Sequence, residues 1–198
     1  MNTSHEHTIR SVAVYCGSTF GTEPAFREAA RATGAELARR GLRLVYGGGN
    51  VGLMGEVADA TLAHGGQVTG VIPTQLVNRE MAHRGIQHLE TVDTMAQRKA
   101  RMEELADAFL VLPGGIGTLE EVTQVLTREV LGDAQGPVVF INPLGYWDPL
   151  LGALKAMVDY GFLPGRYVEG LAVDPDPAVV LDRCTHWRNP GAKWEGED

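Results

Sequence analysis

The chain has 198 residues, 44% of them hydrophobic, and a formal net charge of −8 at pH 7. This length and apolar content are typical of one globular domain with a sizeable core. The acidic balance and the absence of any Lys/Arg block argue against a nucleic-acid ligand, and no apolar run approaches the roughly 20 residues of a membrane span.

Short apolar runs alternate with helix-length amphipathic segments along the chain. Strands are predicted at 11–16, 42–46, 67–72, 108–112, 137–142 and 170–173, and helices near 24–40, 53–64, 94–106, 118–131 and 148–160. Because the strands are Val-rich and do not alternate with polar residues, we expect them to be buried on both faces. The pattern predicts a Rossmann-like, doubly wound α/β fold with a parallel sheet, as one domain over 9–188 with flexible tails at 1–8 and 189–198.

The first glycine-rich turn, "VYGGGNVGLMG", follows the second strand. Gly47, Gly49 and Gly52 satisfy the spacing G-x-G-x-x-G. A dinucleotide site would also need an acidic residue at the end of the next strand, which instead runs into "VIPTQ". No Gly-Lys-Ser/Thr of a Walker loop occurs either. Two interpretations stay open, namely close packing of the turn against its helix and contact with a phosphate or ribose.

The second glycine-rich turn, "LPGGIGTLEEV", follows the predicted strand at 108–112. Gly114, Gly115 and Gly117 would let the backbone approach a ligand, and Thr118 with Glu121 fits a capping box at the start of the next helix. The amides and the dipole at such a helix start favour an anion. Two such turns at the carboxyl ends of parallel strands predict a ligand-binding edge of the sheet.

Two acidic residues, Glu120 and Glu121, come directly after this anion-binding turn. Glu121 lies off the apolar stripe of its helix and is expected to face the loop, kept ionised by the helix dipole. Such carboxylates are often only helix stabilisers. An ionised carboxylate beside a phosphate cradle also suits the ribosyl cation that forms when an N-glycosidic bond breaks.

The segment "DTMAQRKARMEELADA" predicts a helix capped by Asp93 or Thr94. Arg98 falls on its apolar stripe. It would either snorkel to solvent or face the ligand edge as a donor to a phosphate or leaving group, with Lys99 beside it. Upstream, Glu80 lies in a loop after the third strand, where it could bind a ribose hydroxyl.

Three segments, "YGGGNVGLMG", "MAQRKARM" and "LPGGIGTLEE", resemble the LONELY GUY family of cytokinin riboside 5′-monophosphate phosphoribohydrolases, which are often labelled lysine decarboxylases. The family pattern P-G-G-x-G-T-x-x-E is met in full from Pro113 to Glu121, and the resemblance extends from Val12 to Leu151.

This resemblance implies a Rossmann-like homodimer that needs no cofactor. It would hydrolyse the bond between an adenine-type base and ribose 5′-monophosphate. Arg98 and Glu121 match the catalytic pair of the family. Its nucleotide-binding positions are matched by Glu80, Lys99, Gly114, Gly115, Ile116, Gly117, Thr118, Leu119, Glu120 and Thr127.

The chain departs from the family pattern in "TREVLGDAQG". Arg128 and Glu129 stand where the family usually has a tryptophan and a small residue. That segment is near the base pocket in the family, so the preference among bases is left open. The decarboxylase label finds no support, because none of the three lysines, Lys99, Lys155 and Lys193, lies in a recognisable pyridoxal-phosphate setting.

Two further functions are compatible with the same loops. One is a non-catalytic carrier of a nucleotide or a phosphorylated pterin, and the other is a general AMP nucleosidase. The only cysteines, Cys16 and Cys184, give no sign of pairing, and the first ten residues lack the apolar middle of a secretory signal. We therefore expect a reducing, cytoplasmic location.

Overall fold

In a computed structural model, residues 8–77, 81–133 and 136–195 are described. They form a seven-stranded sheet in which every pairing is parallel. In chain order the strands are β1 (Ser11–Tyr15), β2 (Arg43–Tyr46), β3 (Val68–Pro73), β4 (His88–Val92), β5 (Ala108–Val111), β6 (Val138–Ile141) and β7 (Ala172–Asp174).

The strand order places the switch point of the sheet beside β1. Across the sheet the order is β4-β3-β2-β1-β5-β6-β7, so the chain builds outward from β1 to β4 and then returns to the other side of β1. Val12 pairs with Leu44 of β2 on one side and with Ala108 of β5 on the other. The connections after β1 and β5 therefore lead to opposite sides of the switch point and border a crevice at the carboxyl edge, where ligands of open α/β sheets bind.

Helices cover both faces of this sheet, as the sequence predicts. They are α1 (Pro24–Arg39), α2 (Gly52–Ala63), α3 (Thr74–Val77), α4 (Met95–Glu104), α5 (Ile116–Val130), α6 (Asp148–Asp159), α7 (Arg166–Glu169) and α8 (Pro177–Cys184). One apolar cluster joins the sheet to α1, α2 and α8, and the other joins it to α4 and α5. Within the described ranges, no helix is both long and apolar enough to cross a membrane.

Four elements escape the sequence prediction, namely β4, α3, α7 and α8. β4, with the sequence "HLETV", lies at the edge of the sheet and none of its residues is fully buried, so it has no apolar run to reveal it. α8 begins behind Asp176, whose carboxylate accepts from the amide of Ala178 at 2.8 Å. This cap and the proline that follows it are sequence signals that mark α8.

Part of the segment expected to form a flexible C-terminal tail packs against α5 and α7. Ala192 is buried, and the amide of Lys193 donates to the carbonyl of Val130 at 3.0 Å. The hydroxyl of Tyr167 donates to the carbonyl of Gly191 at 2.8 Å. Residues 189–195 therefore have defined contacts with the domain.

Candidate active site

The first glycine-rich turn serves close packing. Gly52 has a φ of +55°, and a Cβ there would lie 2.3 Å from the backbone nitrogen of Thr19 in the loop after β1. Gly48 also has positive φ and accepts a hydrogen bond from the amide of His83 at 2.8 Å. These contacts let the turn lie against the loop after β1 and against the segment between α3 and β4, which favours the packing interpretation for Gly48 and Gly52.

Arg98 lies under the turn and does not snorkel to solvent. Its side chain is buried, with 8% of the residue exposed, and its Nε donates to the carbonyl of Val71 at 3.2 Å. The helix that carries it is capped by Thr94, whose hydroxyl and Gln97 form a complete capping box. Arg98 therefore faces the ligand edge of the sheet from a fixed helix start.

The loop after β5 is held tightly against the loop after β1. The carbonyl of Pro113 accepts from the amide of Gly17 at 3.0 Å. A Cβ on Gly114 would lie 2.1 Å from the hydroxyl oxygen of Thr118 and 2.9 Å from the nitrogen of Gly17. Gly114 is thus required by packing, behind the surface that a ligand would contact.

The helix after this loop begins earlier than the sequence indicates. Its N-cap is Gly115, which makes no side-chain cap, and α5 starts at Ile116. The predicted capping box between Thr118 and Glu121 is therefore wrong, because Thr118 already lies within the first turn and packs against Gly114. The amides of this first turn have no helical acceptor and are available to an anion.

Glu121 lies next to Arg98 on the inner side of α5. Its Oε1 is 3.7 Å from Nη1 of Arg98, and only 9% of Glu121 is exposed. Burial raises the pKa of Glu121 to about 7, against the lowering effect of Arg98, while Glu120 raises the pKa and Lys99 lowers it. Burial therefore opposes the ionisation that the helix dipole is expected to favour.

Lys99 and Glu120 form a second ion pair at the rim of the same crevice. The Lys99 side chain is mostly covered, whereas that of Glu120 is exposed. The two charged pairs thus join α4 to α5 at two depths, with Arg98 and Glu121 below and Lys99 and Glu120 above.

These groups surround a cavity of about 340 Å³ at the carboxyl edge of the sheet. Eight of the residues singled out from the sequence line it: Gly47, Arg98, Gly115, Ile116, Gly117, Thr118, Glu120 and Glu121. The sequence analysis did not identify the other lining residues as site residues: Val14, Cys16, Gly17, Ser18, Met54 and Met95. Pairing of β1 with β5 at the switch point is the signal that could have predicted the contribution of the loop after β1.

Other predicted site residues do not line this cavity. Leu119 packs toward the core, and Thr127 is exposed, with its hydroxyl on the carbonyl of Thr123 at 2.7 Å. Gly114 lies behind the loop, and Lys99 reaches the cavity only through Glu120. Glu80 lies outside the described residues.

The two departures from the family pattern also lie away from the cavity. Arg128 pairs with the buried carboxylate of Glu103 and with Asp133, whose Oδ2 is 2.8 Å from Nε of Arg128. Glu129 is buried and borders a separate cavity, of about 360 Å³, beneath α7 and α8. Burial raises the pKa of Glu129 to about 7, while a hydrogen bond from Trp187 lowers it.

Several comparisons identify proteins that are similar to this chain. A family model described as "Possible lysine decarboxylase" matches residues 54–184. A cytokinin riboside 5′-monophosphate phosphoribohydrolase of Mycobacterium marinum is 42% identical over 88% of this chain and 92% of that protein. One of the same name from Rhodococcoides fascians is 46% identical over 79% of each chain.

Solved structures share the fold at lower identity. The molybdenum cofactor binding protein of Rippkaea orientalis superposes with a TM-score of 0.66 over 88% of this chain and 94% of its own, at 19% identity. Such identity extends the likeness to the fold and no further.

Proposed function

Because the chain belongs to the LONELY GUY family of cytokinin riboside 5′-monophosphate phosphoribohydrolases, we propose that it hydrolyses the N-glycosidic bond of nucleoside 5′-monophosphates. The substrates are AMP derivatives with an N6 substituent, and AMP itself is a candidate. Water adds its hydroxyl to C1′ of the ribose, and the base leaves with the bonding electron pair and takes up a proton. The products are the free base and ribose 5-phosphate.

In this proposal the first turn of α5 holds the 5′-phosphate. The amides of Gly115, Gly117 and Thr118 lie at the start of a helix that begins at Ile116, where unpaired N–H groups and the helix dipole favour an anion. Glycine at 115 and 117 keeps side chains off the approaching phosphate, since a Cβ at either position would meet nothing within 4 Å. Glu80 or Glu120 would bind the ribose hydroxyls.

The observation that carries the proposal is the buried pair of Arg98 and Glu121, 3.7 Å apart, beside that cradle. A carboxylate close to C1′ stabilises the ribosyl cation that develops as the base leaves, and it can accept the proton of the attacking water. Arg98, fixed by the carbonyl of Val71, orients the substrate and supplies positive charge to the departing base. Glu121 must be ionised to stabilise the cation and to accept the proton of the water.

We also propose a homodimer, as the family resemblance implies, and a cytoplasmic location. Tyr160 and Phe162 at the end of α6 are exposed, as is Ile116 beside the cradle, and a second copy of the chain would cover such apolar groups. Both cysteines are buried thiols, which suits a reducing compartment. Sedimentation of the purified protein tests the dimer directly.

Decarboxylation is the less favourable alternative for this site. A pyridoxal-phosphate enzyme needs a lysine free to form a Schiff base. Lys99 is paired with Glu120, and Lys155 is paired with Asp159 within α6. Lys193 lies in the segment that packs against α5, away from the cavity.

The decisive experiment is a chromatographic assay of free base. Pure protein is incubated with N6-isopentenyl-AMP, with AMP and with each matching nucleoside that lacks the phosphate. We expect base release from the monophosphates, and the ratio between the first two distinguishes the N6-substituted preference from a general AMP nucleosidase. A monophosphate that binds and stays intact for hours would establish a carrier instead and would remove the proposal.

A further inference from the structure

The turn after β6 is built to present one aromatic side chain, Tyr146, to the loop after β5. The side chain of Asn142 fixes this turn, because its Nδ2 donates to Asp148 at 2.8 Å and its Oδ1 accepts from the amide of Trp147 at 2.7 Å. Leu144, within the turn, has a φ of +58°, and it is the one non-glycine residue of the described ranges with positive φ. Such strain persists only where the surroundings impose it.

The ring and the hydroxyl of Tyr146 have separate contacts. Its ring packs edge-on against Phe26 of α1, with centroids 5.3 Å apart, and against Trp147, at 4.9 Å. Its hydroxyl donates to the carbonyl oxygen of Gly114 at 2.5 Å. The aromatic contacts therefore aim the hydroxyl at the peptide that joins Gly114 to Gly115.

Peptide geometry determines what this hydrogen bond does. No peptide bond in the described residues is cis, and in a trans peptide the carbonyl of one residue and the N–H of the next point in opposite directions. A carbonyl of Gly114 held toward Tyr146 therefore turns the N–H of Gly115 away from Tyr146. Gly115 lines the cavity, whereas Tyr146 is not among the lining residues.

No side chain of its own fixes the orientation of this peptide. Gly115 has no side chain, and a Cβ placed on it would meet nothing within 4 Å. Glycine peptides rotate at low cost, because no Cβ restricts φ and ψ. On the other side of Gly114, the preceding carbonyl of Pro113 is already held by Gly17. Gly114 packs against Thr118 and Gly17, and the carbonyl of Gly115 accepts from the amide of Leu119 at 3.0 Å. The groups on either side of this peptide are thus held, and the hydroxyl of Tyr146 restrains the peptide itself.

We propose that Tyr146 is a positioning residue that orients the Gly115 amide toward the 5′-phosphate of the substrate. This inference rests on the proposed function, in which that amide belongs to the phosphate cradle. Tyr146 acts through the backbone and touches no reacting atom. Its contribution concerns affinity for the phosphorylated end of the ligand and leaves the chemistry at C1′ unchanged.

The test replaces the hydroxyl and keeps the ring. Calorimetric binding of ribose 5-phosphate is compared between the unmodified protein, Tyr146→Phe and Tyr167→Phe, the matched control, whose hydroxyl also donates to a backbone carbonyl but lies away from the cavity. We expect Tyr146→Phe to weaken binding about threefold to tenfold, the scale of one hydrogen bond, and Tyr167→Phe to leave it unchanged. In the base-release assay, KM for a monophosphate should rise with little change in kcat, and slow turnover of the unphosphorylated nucleoside should stay the same.

The outcomes separate the two proposals. Equal affinity of Tyr146→Phe and unmodified protein for ribose 5-phosphate overturns the positioning role alone. Loss of activity toward nucleoside and monophosphate alike also overturns it, because general damage to the site would explain that result. An unmodified protein that binds no ribose 5-phosphate overturns the phosphate cradle itself, and with it both proposals.

Discussion

Gly47 and Arg98 are fitted to each other: a Cβ on Gly47 would lie 1.6 Å from Nη2 of Arg98 and 2.7 Å from its Cζ. The two residues come from different elements, the turn after β2 and the fourth residue of α4. Absence of a side chain at 47 thus creates the space in which the buried guanidinium lies beside Glu121. This contact gives the first glycine-rich turn a direct link to the proposed chemistry.

We therefore expect Gly47→Ala to impair catalysis more than folding. A methyl group would displace the end of a flexible side chain, which costs little stability but moves the guanidinium away from the substrate. Activity should fall about 100-fold with a small change in melting temperature, since a misplacement of about 1 Å can have that effect. Gly152→Ala, on the exposed face of α6 with nothing within 4 Å, is the control and should leave both quantities nearly unchanged. Unimpaired activity in Gly47→Ala would show that Arg98 needs no such space.

Two buried glutamates allow stability and catalysis to be separated. Burial raises the pKa of Glu121 and of Glu129 to about 7, but only Glu121 lines the proposed active site. Glu121→Gln should reduce base release at least 100-fold, because no carboxylate remains to stabilise the ribosyl cation. Glu129→Gln should retain most of the activity. Comparable losses in both variants would contradict the assignment of Glu121.

The same two substitutions should stabilise the protein above neutral pH. A carboxyl whose pKa is higher in the folded state binds more protons there than in the unfolded chain, so stability falls as pH rises from about 4.5 to about 7. Each buried glutamate then costs on the order of 3 kcal/mol at pH 8, and glutamine removes that cost. Urea unfolding of each variant at pH 5 and pH 8 measures the effect. A gain in stability that is the same at both pH values would exclude this cause.

The pH dependence of activity provides a third test. In the free enzyme Glu121 has a pKa of about 7 and must be ionised, so kcat/KM should rise with pH to a plateau above about 7. Glu120 raises this pKa and Lys99 lowers it. The acidic limb of the profile should therefore move to lower pH in Glu120→Gln and to higher pH in Lys99→Met. Shifts in the same direction would mean that another group governs the limb.

The sequence predicts the architecture because burial on both faces makes strands such as β1 and β5 continuously apolar. The edge strand β4 is half exposed and gives no such signal. Glycine spacing likewise locates the binding edge, but it does not reveal why each glycine is needed. Gly47 makes room for Arg98, which is distant in sequence. Gly114 makes room for Thr118, and this contact depends on where α5 begins, which the sequence does not fix.

The protonation state of Glu121 is the clearest case that the sequence alone could not settle. From the sequence, position near a helix start favours the ionised form. In the folded protein the desolvation of a side chain that is nine-tenths covered raises the pKa of Glu121, against the lowering effect of Arg98. The burial of Glu121 depends on the loops after β1 and β2, and the local sequence around residue 121 gives no information on those loops. Tyr146 was missed for the same reason, since its partner Gly114 is 32 residues away.

The departure at position 128 leads to a prediction on stability. Arg128 of α5 and Gln124 both bond to the carboxylate of Glu103 of α4, of which only 2% is exposed. Arg128→Met would leave a buried charge with one neutral partner and should destabilise the protein by about 3 kcal/mol. The double variant Glu103→Leu/Arg128→Met removes both charges and should recover most of that loss, as chemical unfolding of the three proteins would reveal.

We expect the substitutions at positions 103 and 128 to leave the preference among bases unchanged. Arg128 is paired with Glu103 and Asp133 and is not among the residues that line the cavity. Met54, Met95 and Ile116, in contrast, contribute apolar surface to the cavity. The ratio of kcat/KM for N6-isopentenyl-AMP over AMP should therefore be the same in the double variant as in the unmodified protein. Met95→Ser, at the cavity, should instead lower that ratio, because an apolar N6 substituent would lose a contact worth about 1 kcal/mol. A ratio that responds to position 128 and not to position 95 would place the base on the other side of α5.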